Sequence, residues 1–185
     1  MEVSSFLHPT ETLRASALHE GMHVADFGAG SGFFTRAAAR EVGVHGVVWA
    51  VDVNRDMLPR IKNMCQTEGL NNVEVMHGDV SAKEGSHLPA ATFEFVIAAN
   101  ILFATEDKGA LFDEIHRVLR PGGRALLVDW TDSHGGLGPH PDHVITMEQV
   151  LELCAKHGFD NPQKVPTGSY HWGLVVRKKT RGTAQ

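Results

Sequence analysis

Short apolar runs alternate along the chain with longer stretches in which apolar residues recur every three or four positions. Five runs, HVADF (23–27), VVWAV (47–51), VEVMH (73–77), FEFVIAA (93–99) and RALLVDW (124–130), read as strands. Their near-continuous apolar character suits strands covered on both faces. The stretches between them predict helices. FFTRAAAREV runs to Gly43, a residue suited to a helix end. NRDMLPRIKNMCQTEG opens on Asn54 as N-cap, and Pro59 removes a backbone donor early in it, which predicts a kink or a loss of stability. DKGALFDEIHRVL places Leu111, Ile115, Val118 and Leu119 on one face and stops at Pro121-Gly122-Gly123. Thr146 and Gln149 fit a capping box ahead of Val150, Leu151, Leu153 and Cys154, and Gly158 ends that helix. QKVPTGSYHWGLVVRKK holds two short strand candidates around a Gly-Ser turn, the pattern of a closing hairpin.

Strand–helix–strand repetition implies right-handed crossovers and an α/β fold built on an open, mostly parallel sheet with helices on both faces. The hairpin brings the expected sheet to seven strands, the last antiparallel. The 185 residues fit a single domain, 1–185, with a short N-terminal segment, 1–20. Composition narrows the partners. Hydrophobic content is 42%, charged content 21% and net charge −5, values that suit a soluble protein and argue against nucleic acid as partner. Arg177, Lys178, Lys179 and Arg181 form a local basic run, read as a solvated end after the last strand. Cys65 and Cys154 lie far apart without CxxC spacing, which points away from disulfides and thiolate metal sites and towards the cytoplasm. MEVSSFLHP lacks the pattern of a signal peptide, and the longest apolar stretch, broken by Glu94 and Asn100, is too short to span a bilayer.

The first strand runs directly into Asp26-Phe27-Gly28-Ala29-Gly30-Ser31-Gly32 and then a helix. A glycine turn between strand and helix lets a ligand approach the backbone. A dinucleotide fingerprint requires G-x-G-x-x-G, but here the third glycine comes one residue early, at Gly32, and Phe33 stands in its place. No GK[ST] follows, so a P-loop is excluded.

The acid, one spacer and G-x-G-x-G resemble the first motif of class I S-adenosylmethionine-dependent methyltransferases. Further segments fit in order: Asp52 ending the second strand, Gly78-Asp79-Val80 after the third, Asn100 after the fourth, and RVLRPGGRALLVDW around the fifth. The resemblance spans about residues 20 to 178. It implies that Asp26, Gly28, Gly30, Gly32, Asp52, Val53, Met57, Asp79, Val80 and Asn100 form the cofactor site. Asp52 would accept both ribose hydroxyls, charged acceptors making the stronger hydrogen bonds. Asp79 would accept from the adenine amine while the Val80 amide faces a ring nitrogen. Asp26 would hold the ammonium of the amino acid end, and Met57 would pack on the adenine face or in the core.

Methyl transfer from a sulfonium starts from an activated leaving group, so alignment and desolvation supply much of the catalysis, and a base is needed only for a nucleophile of high pKa. Asn100 is followed by Ile101-Leu102-Phe103 rather than Pro-Pro-aromatic, which disfavours base or amide nitrogens as acceptors. Two cysteines do not supply the several that arsenite methyltransferases use. The chain is more similar to the small-molecule group that includes quinone-biosynthesis C-methyltransferases, which implies a small-molecule acceptor. Only about 20 residues precede the glycine motif, so the helices that cover substrate in that group are abbreviated; either the pocket is open or a second subunit, as in a homodimer, completes it.

That shortage directs attention to DWTDSHGGLGPHPDH (129–143). Asp129 and His134 are candidate acid–base residues, and Phe103, Trp130, His140 and His143 candidate acceptor contacts. The three histidines match no zinc-ligand spacing, so no metal is expected; a polar loop without chemistry is the plain alternative. His171 and Trp172 read as hairpin residues. Two other functions stay open: a cofactor-binding subunit without its own catalysis, and a nicotinamide oxidoreductase, against which Phe33 counts.

Overall fold

A computed structural model describes residues 7–180. Arg181 of the basic run lies outside these residues. The elements follow the order α1 (Pro9–Ala15), β1 (His23–Phe27), α2 (Phe33–Val42), β2 (Val47–Asp52), α3 (Met57–Thr67), β3 (Val73–His77), β4 (Phe93–Ala99), α4 (Lys108–Val118), β5 (Leu119–Trp130), α5 (Met147–Lys156), β6 (Phe159–Lys164) and β7 (His171–Lys178). Single 3-10 turns at Leu102–Ala104, His134–Gly136 and Pro141–His143 punctuate the loops. The sheet order is β3-β2-β1-β4-β5-β7-β6, parallel except that β7 runs against both neighbours. The order reverses between β1 and β4, where open α/β sheets leave a crevice beyond their carboxyl ends.

Two apolar layers cover the sheet. Val24, Val48, Phe95, Ile97 and Leu126 meet α1, α2 and α3 on one face. Ala25, Phe27, Val96, Leu127 and Leu174 meet α4 and α5 on the other. Burial on both faces explains why the strands carry apolar residues at successive positions. Among the described residues no helix is long and apolar enough to cross a membrane.

Several boundaries differ from the sequence reading. Helix α3 begins at Met57 with Asp56 as N-cap, while the Asn54 side chain accepts from the Asp56 amide at 3.0 Å one step earlier. Pro59 therefore falls in the first helical turn, where its missing donor has no intrahelical acceptor to serve, and no kink is required. Strand β5 begins at Leu119 rather than Arg124, because Pro121-Gly122-Gly123 stays in the strand, with Gly122 at φ 76° and a register shift opposite Phe93 and Phe95. The Thr146–Gln149 capping box forms as expected. The basic end is not merely solvated: Lys178 Nζ donates to the carbonyls of His116 and Leu119 at 2.6 and 2.7 Å, placing a cation at the C-terminus of α4.

Candidate active site

The crevice is built at the ends of β1, β2, β3 and β4. The loop after β1 is pinned to β2, since the amides of Gly28 and Ala29 donate to the Val51 carbonyl at 2.9 and 3.1 Å. Gly28 has φ 70°, and a Cβ there would lie 2.5 Å from Ile101 Cδ1, so the loop after β4 rests directly on this glycine. Gly30 lines the crevice with its bare backbone, and a Cβ built on it meets only the Gly28 carbonyl, at 3.9 Å. That free space is room for a ligand. Gly32 serves differently: it is the N-cap of α2, and a Cβ there would meet Ile61 at 3.1 Å. It allows α2 and α3 to pack and lines neither cavity described next.

Two cavities of the crevice meet the same Gly28, against which Ile101 packs. One, of about 450 Å³, is lined by Asp52, Val53, Gly78, Asp79 and Val80 together with Ile101 and Thr105. The other, of about 360 Å³, is lined by Asp26, Gly30, Ser31, Phe33 and Asn100, with Leu7 and Pro9 at its edge. Asp52 lines the first and accepts from the backbone of Gly30, which lines the second. Its Oδ2 accepts from the Gly30 amide at 2.7 Å and its Oδ1 from the Asn54 amide at 2.8 Å. Each oxygen keeps a lone pair, so the fixed carboxylate can accept two further donors, such as a vicinal diol. Asp79 is exposed; Ser81 occupies its Oδ1 through hydroxyl and amide, at 2.6 and 2.9 Å, and these bonds hold its pKa below the ordinary value. Its Oδ2 is left for a ligand donor. Met57, half-buried at the start of α3, is not part of these walls.

Asp26 is buried, and burial pushes its pKa up to about 7. Thr35 Oγ1 donates to its Oδ2 at 2.5 Å and opposes that shift, while the nearby Asp52 adds to it. Asn100 has φ 55°, and its buried Oδ1 has no hydrogen-bond partner. A strained residue that presents a bare acceptor to a cavity shared with a buried carboxyl calls for a ligand bearing N–H or O–H groups. An ammonium beside Asp26 satisfies that demand and restores the ionised carboxylate.

A third opening, of about 810 Å³, shares Ala104, Thr105 and Glu106 with the Asp52–Asp79 cavity. Phe103 and His143 line it, with Val144, Ile145 and Leu153. The remaining acceptor-side candidates are not brought to it. Asp129 is fully buried, and its Oδ1 and Oδ2 accept from the amides of Trp130 at 2.8 Å and Phe103 at 3.2 Å; burial raises its pKa to about 6. It lines none of the three cavities and anchors the turn after β4. His134 turns to the hairpin: its Nε2 pairs with the Thr131 hydroxyl at 2.8 Å and its ring meets Tyr170 at 4.8 Å between centroids. Trp130 stacks on His171 at 4.2 Å. His140 is exposed and faces His143 at 6.0 Å, so the three loop histidines do not converge. Among the described residues no three His, Cys, Asp or Glu side chains gather as a metal site. His171 and Trp172 lie in β7 of the closing hairpin and are buried there, with Trp172 Nε1 donating to the Ile145 carbonyl at 3.0 Å.

Sequence reasoning missed Thr35, Ile101, Leu7 and Pro9. Thr35 carried a signal, a hydroxyl on the buried face that α2 forms with Ala39 and Val42. The others carried none, since their roles come from chain crossings.

Comparison with known proteins agrees with this geometry. Residues 24–123 match a methyltransferase domain family. The chain is 34% identical over 141 residues to an arsenite methyltransferase of Halobacterium salinarum, covering 75% of this chain and 34% of that protein. It is 30% identical over 120 residues to a ubiquinone/menaquinone biosynthesis C-methyltransferase of Neisseria meningitidis, covering 65% of this chain and 47% of that protein. The chain thus spans half or less of the length of these two relatives. A solved S-adenosylmethionine-dependent methyltransferase from Aquifex aeolicus superposes with TM-score 0.84 at 27% identity over 94% of this chain and 90% of that one. With the motif region matched and the fold shared over nearly its whole length, the chain belongs to the methyltransferase domain family.

Proposed function

We propose that the protein binds S-adenosylmethionine across the Asp26–Asp52–Asp79 crevice and transfers its methyl group to a small-molecule acceptor. The observation that carries this reading is Asp52, which lines one cavity, is held by the Gly30 and Asn54 amides, and keeps acceptor capacity for a ribose diol. When bound, the cofactor supplies a methyl group on a sulfonium, whose leaving group needs no protonation. The protein's residues position and desolvate. Asp26 and the bare Asn100 Oδ1 would receive the ammonium and Asp79 the adenine amine, while the Ile101 side chain covers Gly28.

Phe103 and His143 are the acceptor-side residues that share a cavity. With Asp129 turned to backbone amides and His134 to the hairpin, positioning rather than a dedicated base accounts best for the chemistry. Cys65 lies in the layer under α3 and Cys154 in the layer under α5, on opposite faces of the sheet, so they form no paired thiol site for arsenite. An organic small molecule fits better. Calorimetric titration with S-adenosylmethionine, S-adenosylhomocysteine and NAD tests the cofactor; binding of NAD alone sinks the proposal. A screen of O, N, S and C nucleophiles for S-adenosylhomocysteine release tests transfer, and turnover of none of them removes the catalytic part.

A further inference from the structure

The loop between β3 and β4 supplies Asp79 and Val80 to the crevice, yet its backbone is under strain. Glu84, His87 and Ala91 all have φ between 51° and 58°, the left-handed region that L-residues avoid. The loop also folds tightly onto itself: a Cβ on Gly78 would lie 2.4 Å from the Gly85 carbonyl, and one on Gly85 would lie 2.1 Å from the Asp79 carbonyl. The Gly78–Asp79 segment is thus set by where Gly85 and Ser86 lie.

Ser86 is fixed from the opposite side by a buried carboxylate on α4 and its partly exposed arginine partner. Glu114 is 2% exposed. Its Oε1 accepts from the Ser86 amide at 3.1 Å, from the Ser86 hydroxyl, and from Arg117 Nη2 at 2.7 Å. Its Oε2 accepts from Arg117 Nε at 2.7 Å. Arg117 Nη2 further donates to the Leu88 carbonyl at 2.8 Å, and the Leu88 amide donates to Ser86 Oγ at 3.2 Å. Charged hydrogen bonds in a dry setting hold geometry firmly. None of these three side chains lines the crevice.

We infer that Glu114, acting through Ser86 and Arg117, is a positioning residue for nucleobase recognition: it holds the strained loop in the fold that presents the Asp79 carboxylate and Val80 amide to the base. The inference rests on the cofactor reading above. Its consequence is selective. Releasing the clamp leaves the ribose and amino acid contacts of Asp52 and Asp26 in place and loosens the discrimination of a 6-amino from a 6-oxo purine. Asp79 favours the amine because a carboxylate accepts from it and repels a carbonyl.

The test is calorimetric titration of wild type, Ser86→Ala and Glu114→Gln with S-adenosylhomocysteine and S-inosylhomocysteine. Ser86→Ala is the milder change and keeps the test intact if Glu114→Gln fails to fold. Wild type should prefer the adenosyl ligand at least tenfold, and each folded variant should reduce that preference to about threefold or less, chiefly by losing adenosyl affinity. A second readout is amide exchange, which should quicken at Asp79, Val80 and Ser81 and stay unchanged in β1 and β2. Equal weakening of both ligands, or an unchanged preference with unchanged exchange at Val80, overturns the inference and leaves the cofactor reading standing. Wild type that binds neither ligand overturns both.

Discussion

Asp26→Asn should stabilise the fold and impair the cofactor site at once. The carboxyl is buried, and its pKa is about 7 against an ordinary 3.8. A raised folded-state pKa means that the folded protein holds its proton more tightly than the unfolded chain, so stability present below pH 3.8 is lost as pH rises through 7. At about 1.4 kcal/mol per pKa unit, the full loss is about 4 kcal/mol, of which about 2.5 kcal/mol develops between pH 5 and pH 8. Asparagine has the same shape, offers the Thr35 hydroxyl an acceptor, and does not titrate. Urea unfolding of both proteins at pH 5 and pH 8 should therefore show the variant's advantage growing by about 2.5 kcal/mol across that range. Asp129, also raised by burial, titrates in both proteins and cancels in the difference. Binding should move the other way. An ammonium needs the ionised carboxylate, which at pH 6 is populated about one part in ten, so wild-type affinity for S-adenosylhomocysteine should be about tenfold weaker at pH 6 than at pH 8. The variant should bind weakly at both. A stability difference independent of pH would refute the claim that burial sets the state of Asp26, and a variant with unchanged affinity would remove it from the cofactor site.

Asp52→Ala should weaken S-adenosylhomocysteine binding at least tenfold, about 1.4 kcal/mol, by calorimetry; unchanged affinity contradicts the ribose role. Gly28→Ala should lose both cofactor affinity and melting temperature, because its Cβ would stand 2.5 Å from Ile101 Cδ1 at φ 70°. Adding Ile101→Ala should recover part of the melting temperature, since it removes the collision and leaves the backbone strain. His171 is buried against Trp130, and burial lowers its pKa to about 4. A lowered imidazole pKa makes stability full above pH 6.5 and drains it as pH falls towards 4, so His171→Phe should flatten the acid limb of a melting curve series; an unaltered limb counts against that assignment.

The Asp26–Asp52–Asp79 part of the crevice was legible as a place on the sheet because it is local in sequence. Each acid sits at or just beyond the end of an apolar run, and the glycines lie in one turn, so the strand pattern alone places Asp26, Asp52, Asp79 and Asn100 along one edge of the sheet. Where local signals competed, reading failed for definite reasons. The N-cap falls two residues beyond Asn54, since Asp56 takes that place without a side-chain bond while the Asn54 side chain accepts from the Asp56 amide. Pro-Gly-Gly usually stops an element, but here the register shift opposite Phe93 and Phe95 lets β5 continue through it. The Phe103–His143 opening was legible only in part: Phe103 and His143 stood among the candidates, but Trp130 and His140 did not join them, and the meeting with Leu153 arises only once α5 and the loop before it have packed.

Asp129 shows how that difference arises. A carboxylate at a strand end, beside histidines, has the residue types of an acid–base centre. The fold spends both of its oxygens on backbone: the Trp130 amide fixes the exit of β5, and the Phe103 amide fixes the turn after β4. That turn carries Ala104, Thr105 and Glu106, the residues common to the Asp52–Asp79 cavity and the Phe103–His143 opening. The partition between the two spaces therefore hangs on a buried carboxyl that lines neither. Asp52 and Asp129 each accept one backbone amide on each carboxylate oxygen, yet Asp52 lines a cavity and Asp129, fully buried, lines none of the three. Only the packing of the folded chain separates the two, and by that criterion Asp129 shapes the Phe103–His143 opening through the turn it holds.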